Sequence, residues 1–176
     1  MRFRGIGLWV LLCFLLAAGW IAERWLTAEH YLYINEGSQH QNDDASQLSI
    51  RMGRMRTGID FGIIILNTLP SANSLEDAAA DLFRKYKLGS QTGGKGILIL
   101  FVEDRDELKI EVSQSLEPYF TDSAIGALER AARTNMLGNN RADYFTELII
   151  TLCMHYEKKI KAEDFAEVAI SRIKAP

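Results

Sequence analysis

The sequence predicts an α/β protein: a three-layer α/β/α sandwich around a small mixed sheet, preceded by one N-terminal transmembrane helix. Three observations predict it. Two β-branched-rich apolar runs, at 61–66 and 97–102, are continuous instead of alternating, as in strands covered on both faces. Between them Leu75, Ala78, Ala79, Leu82, Phe83 and Tyr86 recur at helical spacing. Ahead of both, residues 6–22 are almost unbroken apolar behind Arg2 and Arg4.

The N-terminal run is roughly long enough to cross a hydrocarbon core about 30 Å thick as a helix. Basic residues before it favour a cytoplasmic N-terminus, and Glu23 and Arg24 after it cancel. The remainder is then expected outside the cytoplasm, on the periplasmic side of a bacterial inner membrane. A cleaved secretory signal shares the basic start and the apolar stretch. Trp20 and Ile21, however, continue the run past the small residues Ala17 and Gly19, and Trp25 sits where an interfacial anchor would. The reading adopted is an uncleaved anchor over 1–25, a tether over 26–44 and an α/β domain over 45–176.

The elements follow in order. Residues 28–44 are polar and irregular and read as the tether. From 45 to 56 the spacing Leu48, Met52, Met55 gives one helical stripe, stopped by Thr57 and Gly58. After the first strand, Ser74 with Asp77 three residues later caps the central helix and Gly89 stops it. Strand, helix, strand is most simply a parallel crossover. Leu108, Ile110 and Val112 then alternate with Lys109 and Glu111, so the acidic stretch 103–107 is a hairpin loop and this strand is antiparallel to its predecessor. Ile125, Leu128, Ala132 and Met136 define the next helix, with Asp122 as its N-cap. Phe145, Leu148, Ile149, Leu152 and Tyr156 define another, capped by Asn140, and a last amphipathic segment carries Phe165, Ala169 and Ile173.

Composition excludes several function classes. The chain has 176 residues and a formal net charge of −3 at pH 7. Because the anchor and its flanks hold more Arg than acid, the rest is more acidic still, which disfavours nucleic acid as a partner. Cys13 lies in the apolar run and Cys153 stands alone in a helix, so neither a disulfide framework nor a cysteine metal site can be built. Cys153 reads as a small core residue. Gly89, Gly94 and Lys95 fit a phosphate loop except that Gly96 replaces the magnesium-binding hydroxyl. This stretch also leaves a helix and opens a strand, the reverse of a phosphate loop, so no nucleotide is expected. His30, His40 and His155 show no ligand spacing, and no Gly-x-Ser-x-Gly elbow exists. The hairpin acids, Asp104 and Asp106 among them, offer oxygen ligands to a hard cation but lack an EF-hand pattern and read as a solvated loop.

The ordered series Thr57-Gly58, Leu75-Glu76-Asp77-Ala78, Leu82-Phe83, Tyr86, Leu88-Gly89, Gly96-Ile97-Leu98-Ile99-Leu100, Leu108-Lys109-Ile110-Glu111-Val112, Leu116-Glu117, Thr121-Asp122 and Ala142-Asp143-Tyr144 resembles the TPM domain family. That family includes a thylakoid lumen protein, a photosystem II repair protein and an acetylcholine-receptor modulator. The resemblance covers about two thirds of the chain and implies an α/β/α sandwich outside the cytoplasm. Some members of the family bind calcium, some are weak acid phosphatases, and others assemble or modulate membrane protein complexes. Fold alone does not choose among these.

The departures bear on chemistry. Members commonly place an acidic residue and Asn before the glycine that opens the second predicted strand, where this chain has Gly94 and Lys95. They commonly place glycines after the third, where it has Ser113 and Ser115. Both loops belong to one end of the sheet. Glu117 and Asp122 remain there as candidate ligands for calcium or another divalent cation, and Lys95 is expected to pair with one of them in place of the metal. The function expected is a non-enzymatic accessory, binding or assembly factor for a membrane protein partner. The alternative is a divalent-metal-dependent phosphatase-like hydrolase using Glu117 and Asp122, with no other cofactor.

Overall fold

The structure, a computed structural model, describes residues 31–37, 43–69, 74–136 and 141–173, with the backbone alone at 43, 132–136, 141–142 and 162–173. The fold described is that of the unit Tyr31–Pro176. The expected anchor over 1–25 lies outside the described residues. Among those described, no helix is long and apolar enough to cross a membrane.

Four strands form one sheet in the order β1 (Leu32–Asn35), β2 (Asp60–Leu66), β3 (Gly96–Val102), β4 (Glu107–Val112). β1 and β2 are parallel, as are β2 and β3, while β4 runs antiparallel to β3. Every residue of β3 is buried, as its uninterrupted apolar run requires of a central strand covered on both faces. Ile97, Ile99 and Phe101 face one helical layer, whereas Leu98, Leu100 and Val102 face the other. The first layer is α1 (Asp43–Thr57) with α4 (Arg141–Ile173); the second is α2 (Leu75–Lys85). α3 (Asp122–Met136) lies along β4. The three-layer sandwich and its mixed sheet are as the sequence predicts.

β1 corrects the expected tether. Leu32, Tyr33, Ile34 and Asn35 pair in register with Gly62, Ile63, Ile64 and Ile65, and the Glu36 amide continues the ladder to the Ile65 carbonyl at 2.9 Å. Gly62 makes room for this: a Cβ there would stand 3.0 Å from both Leu32 and Leu88. A four-residue strand at a sheet edge, half-buried throughout, carries too little pattern to stand out from its polar surroundings.

α1 forms where expected but turns its other face inward. Leu48, Met52 and Met55 are 56%, 60% and 74% exposed, whereas Ser46, Ser49 and Ile50 are buried. Close approach decides the orientation, because a Cβ on Gly53 would meet Ile149 at 2.9 Å and Phe61 at 3.0 Å. The small-residue face lets the helix sit directly on the sheet and α4.

α2 is capped as its sequence indicates: the Ser74 hydroxyl accepts the Asp77 amide at 3.1 Å and donates to the Asp77 carboxylate at 2.8 Å. It ends at Lys85, and a run of turns carries the chain to Gly89, whose φ of +86° suits glycine. The hairpin acids form a short 3-10 turn, Glu103–Arg105, followed by Asp106 at φ +50°. The two predicted C-terminal helices are one continuous helix, α4. Cys153 is core, 2% exposed, and burial pushes its thiol up to about 11.

Candidate functional site: the acidic cleft at the β4 margin

The start of β3 and the end of β4 share one end of the sheet, as antiparallel pairing dictates. The loop entering β3 is fastened from several sides. Buried Asp60, at the start of β2, accepts the Gly89 amide at 3.0 Å and the Arg54 guanidinium at 3.3 Å, and its own amide donates to the Lys95 carbonyl at 2.9 Å. The Gly94 amide donates to the Gly89 carbonyl at 2.9 Å. The amides of Gly89, Ser90, Thr92, Gly94 and Lys95 in the nominal phosphate loop are thus committed to the fold. On the β4 side, the Ser115 hydroxyl donates to the Gly94 carbonyl at 2.7 Å, and the Ser113 hydroxyl accepts the Gly96 amide at 3.0 Å. The two serines that replace the expected glycines therefore tie the loops together.

Lys95 does not make the expected ion pair. Among the described residues it bonds to neither Glu117 nor Asp122; its ammonium stands 5.8 Å from the centroid of the Tyr156 ring. Tyr156 belongs to an aromatic cluster with Tyr119 and Phe120, into which His155 stacks while its Nε2 contacts the Tyr119 carbonyl at 3.0 Å.

Glu117 and Asp122 do come together, in a cleft of about 270 Å³ between β4 and α3 that is also lined by Lys109, Glu111 and Glu129. Thr121, not Asp122, caps α3, accepting the Ala124 amide on its hydroxyl at 3.3 Å. That leaves the Asp122 carboxylate on the cleft wall at the first helical position, where the helix dipole favours negative charge. Glu129 is committed differently: it accepts the edge amide of Ile110 at 2.9 Å and pairs with the Lys109 ammonium at 3.3 Å. Asp104 and Asp106 lie at the other end of β4 and do not reach this cleft. Carboxylates suit a hard cation. Among the described residues no three His, Cys, Asp or Glu side chains converge as a cation-holding group. Glu111 and Glu129 were missed in the sequence, although Asp122, Ile125 and Glu129 at i, i+3 and i+7 mark one face of α3.

Burial raises the Glu111 carboxyl above its ordinary value, with Glu129 adding to the shift and Lys109 and Arg84 opposing it. The folded state then holds the proton more tightly than the unfolded one, so stability declines as pH rises from the ordinary glutamate value through the folded one. Glu111→Gln is expected to remove that decline. Chemical denaturation across a pH series checks it, and parallel curves for the two proteins would contradict it.

A mixed four-stranded sheet with helices on both faces defines the class: an α/β/α sandwich domain. The sequence profile of the TPM domain matches residues 41–146, more than half of the chain, and the chain belongs to that family. Two solved structures share the fold. One is the solution structure of the N-terminal domain of a protein from P. gingivalis, at 17% identity and a TM-score of 0.64, covering 77% of this chain and 88% of that one. The other is the BA42 protein of the psychrophilic bacterium Bizionia argentinensis, at 17% identity and a TM-score of 0.60, covering 74% and 84%. No curated protein matches the chain.

Proposed function

We propose that this TPM domain is a membrane-tethered, extracytoplasmic accessory module that binds or helps assemble a membrane protein. The observation that carries the reading is the apolar run at 6–22 behind Arg2 and Arg4, immediately ahead of the domain. Tethering confines the domain to a thin layer beside the bilayer and raises its effective concentration for neighbouring membrane proteins. The loop chemistry supports a binding role over a metal-dependent one. Where the family's pattern has an acid and Asn, this chain has Gly94 and Lys95, the Lys95 ammonium stands against Tyr156, and Glu129 is committed to β4. Fractionation should leave the full chain in the membrane pellet until detergent is added, and purification from the extract should carry a membrane protein with it. Release without detergent would overturn the tether, and a chain that purifies alone under several conditions would overturn the binding role.

The second reading, a divalent-metal-dependent phosphatase-like hydrolase, is favoured by one observation: Glu117 and Asp122 line the same cleft as Glu111. Calorimetric titration with calcium and magnesium separates the two. Saturable binding that is lost on replacing both Glu117 and Asp122 with alanine would favour the hydrolase. Under the accessory reading the parent does not bind, and Lys95→Asp restores a cation site. Calcium at ten times its dissociation constant is then expected to raise the variant's melting temperature by about 3 °C and leave the parent unmoved. An equal response in both proteins would count against Lys95 as the residue that excludes the ion.

A further inference from the structure

We infer that the outward face of α4, with the apolar side chains of α1 beside it, forms a self-complementary dimer interface, and that its occupant is a second copy of this chain. Among the described residues six large hydrophobic side chains are exposed, and five of them, Leu48, Met52, Met55, Ile150 and Met154, lie on these two helices. Between the helices runs an apolar groove of about 210 Å³, floored by Ile149 and Cys153. Contiguous apolar surface of this kind marks an interaction site. Methionines suit it, since their unbranched side chains can adapt to a groove presented by the facing copy.

Charge identifies the occupant. The exposed stripe of α4 reads Asp143, Glu147, Ile150, Met154, Lys158, Lys161, at spacings that keep one helical face. It is acidic, then apolar, then basic. Beside it α1 adds the exposed apolar side chains Leu48, Met52 and Met55, while Arg56 at its end is taken up by Glu157 of the same copy. The two helices run in the same direction, because Gly53 lies against Ile149 and Arg56 further along pairs with Glu157 further along. The exposed stripe of α4 is therefore a dipole with an apolar centre between Ile150 and Met154. A two-fold axis perpendicular to α4, midway between Ile150 and Met154, lays two such stripes antiparallel. Each acidic end then meets a basic end, and apolar meets apolar, as an isologous interface requires. On α4 this sets Glu147 against Lys158 of the second copy.

The test is the mass of the full chain in detergent, corrected for bound detergent, from light scattering or sedimentation over a concentration series. The parent is expected to be a dimer. Glu147→Lys and Lys158→Glu, each at an exposed position, should each raise the dissociation constant at least tenfold by placing like charges together, and the pair combined in one chain should return it to within about threefold of the parent. Met52→Ser with Met154→Ser should also weaken the dimer. A parent that stays monomeric at about 100 µM, single reversals that leave the dimer unchanged, or a double reversal that fails to restore it would each overturn the proposal. A circular dichroism spectrum matching the parent's excludes misfolding as the cause of any loss.

Discussion

Replacing Phe101 with alanine is expected to lower the stability of the domain by about 3–5 kcal/mol, the range for deleting a fully buried aromatic side chain. Phe101 has no exposed surface and sits on the central strand, opposite Leu108 of β4. Its ring meets that of Phe145 edge-on at a centroid distance of 6.3 Å, joining the sheet to α4. β3 is bonded on both sides, so the surrounding strands cannot easily close over the cavity left behind. Chemical denaturation measures the loss. A cost below about 1 kcal/mol would mean that the site relaxes freely, contrary to a packed central layer.

Gly89→Ala is expected to be nearly as damaging, for a different reason. At φ +86° an L-residue is strained, which costs on the order of 1–3 kcal/mol by itself. The added Cβ would also stand 2.9 Å from the Gly96 amide nitrogen and 3.0 Å from the carbonyl carbons of Gly94 and Lys95. All three are backbone atoms that cannot swing aside as a side chain would. The displacement would travel into the loop that carries Lys95 and would loosen the bond from the Gly89 amide to Asp60. A two-dimensional amide spectrum should show shifts concentrated at 89–96 and 113–115, together with a lowered melting temperature. An unchanged melting temperature would contradict the strain argued for this position.

The sandwich was legible because its central elements carry patterns that local physics interprets without help. The continuous run of β3, the alternation of β4 and the capped amphipathic α2 each have one reading. What escaped reading was decided by contacts distant in sequence. β1 is a strand only because β2 offers it an edge, and its four residues carry no period of their own. In α1 the apolar stripe was read correctly as helical but its direction was not. Periodicity reports a face, whereas the inward choice depended on Gly53 fitting against Ile149, a residue of α4. The site was legible to a similar degree. Glu117 and Asp122 share a cleft as their chain positions suggested, while the direction of Lys95 was fixed by Tyr156, and the capping of α3 by Thr121 went to the neighbour of the residue expected.

The bond from the Ile110 amide to Glu129 bears on what the sheet can do beyond this molecule. An outer strand ordinarily presents a row of free amides and carbonyls, a template on which another chain can extend the sheet. On β4 the carboxylate of Glu129 occupies one of those amides, and α3 holds it in place. An incoming strand would have to displace a charged acceptor that is also paired with Lys109. The opposite margin is β1, four residues long. Growth into fibrils or swapped strands is thus obstructed at one margin and confined to a short template at the other, a protection that Glu129→Ala would remove from β4.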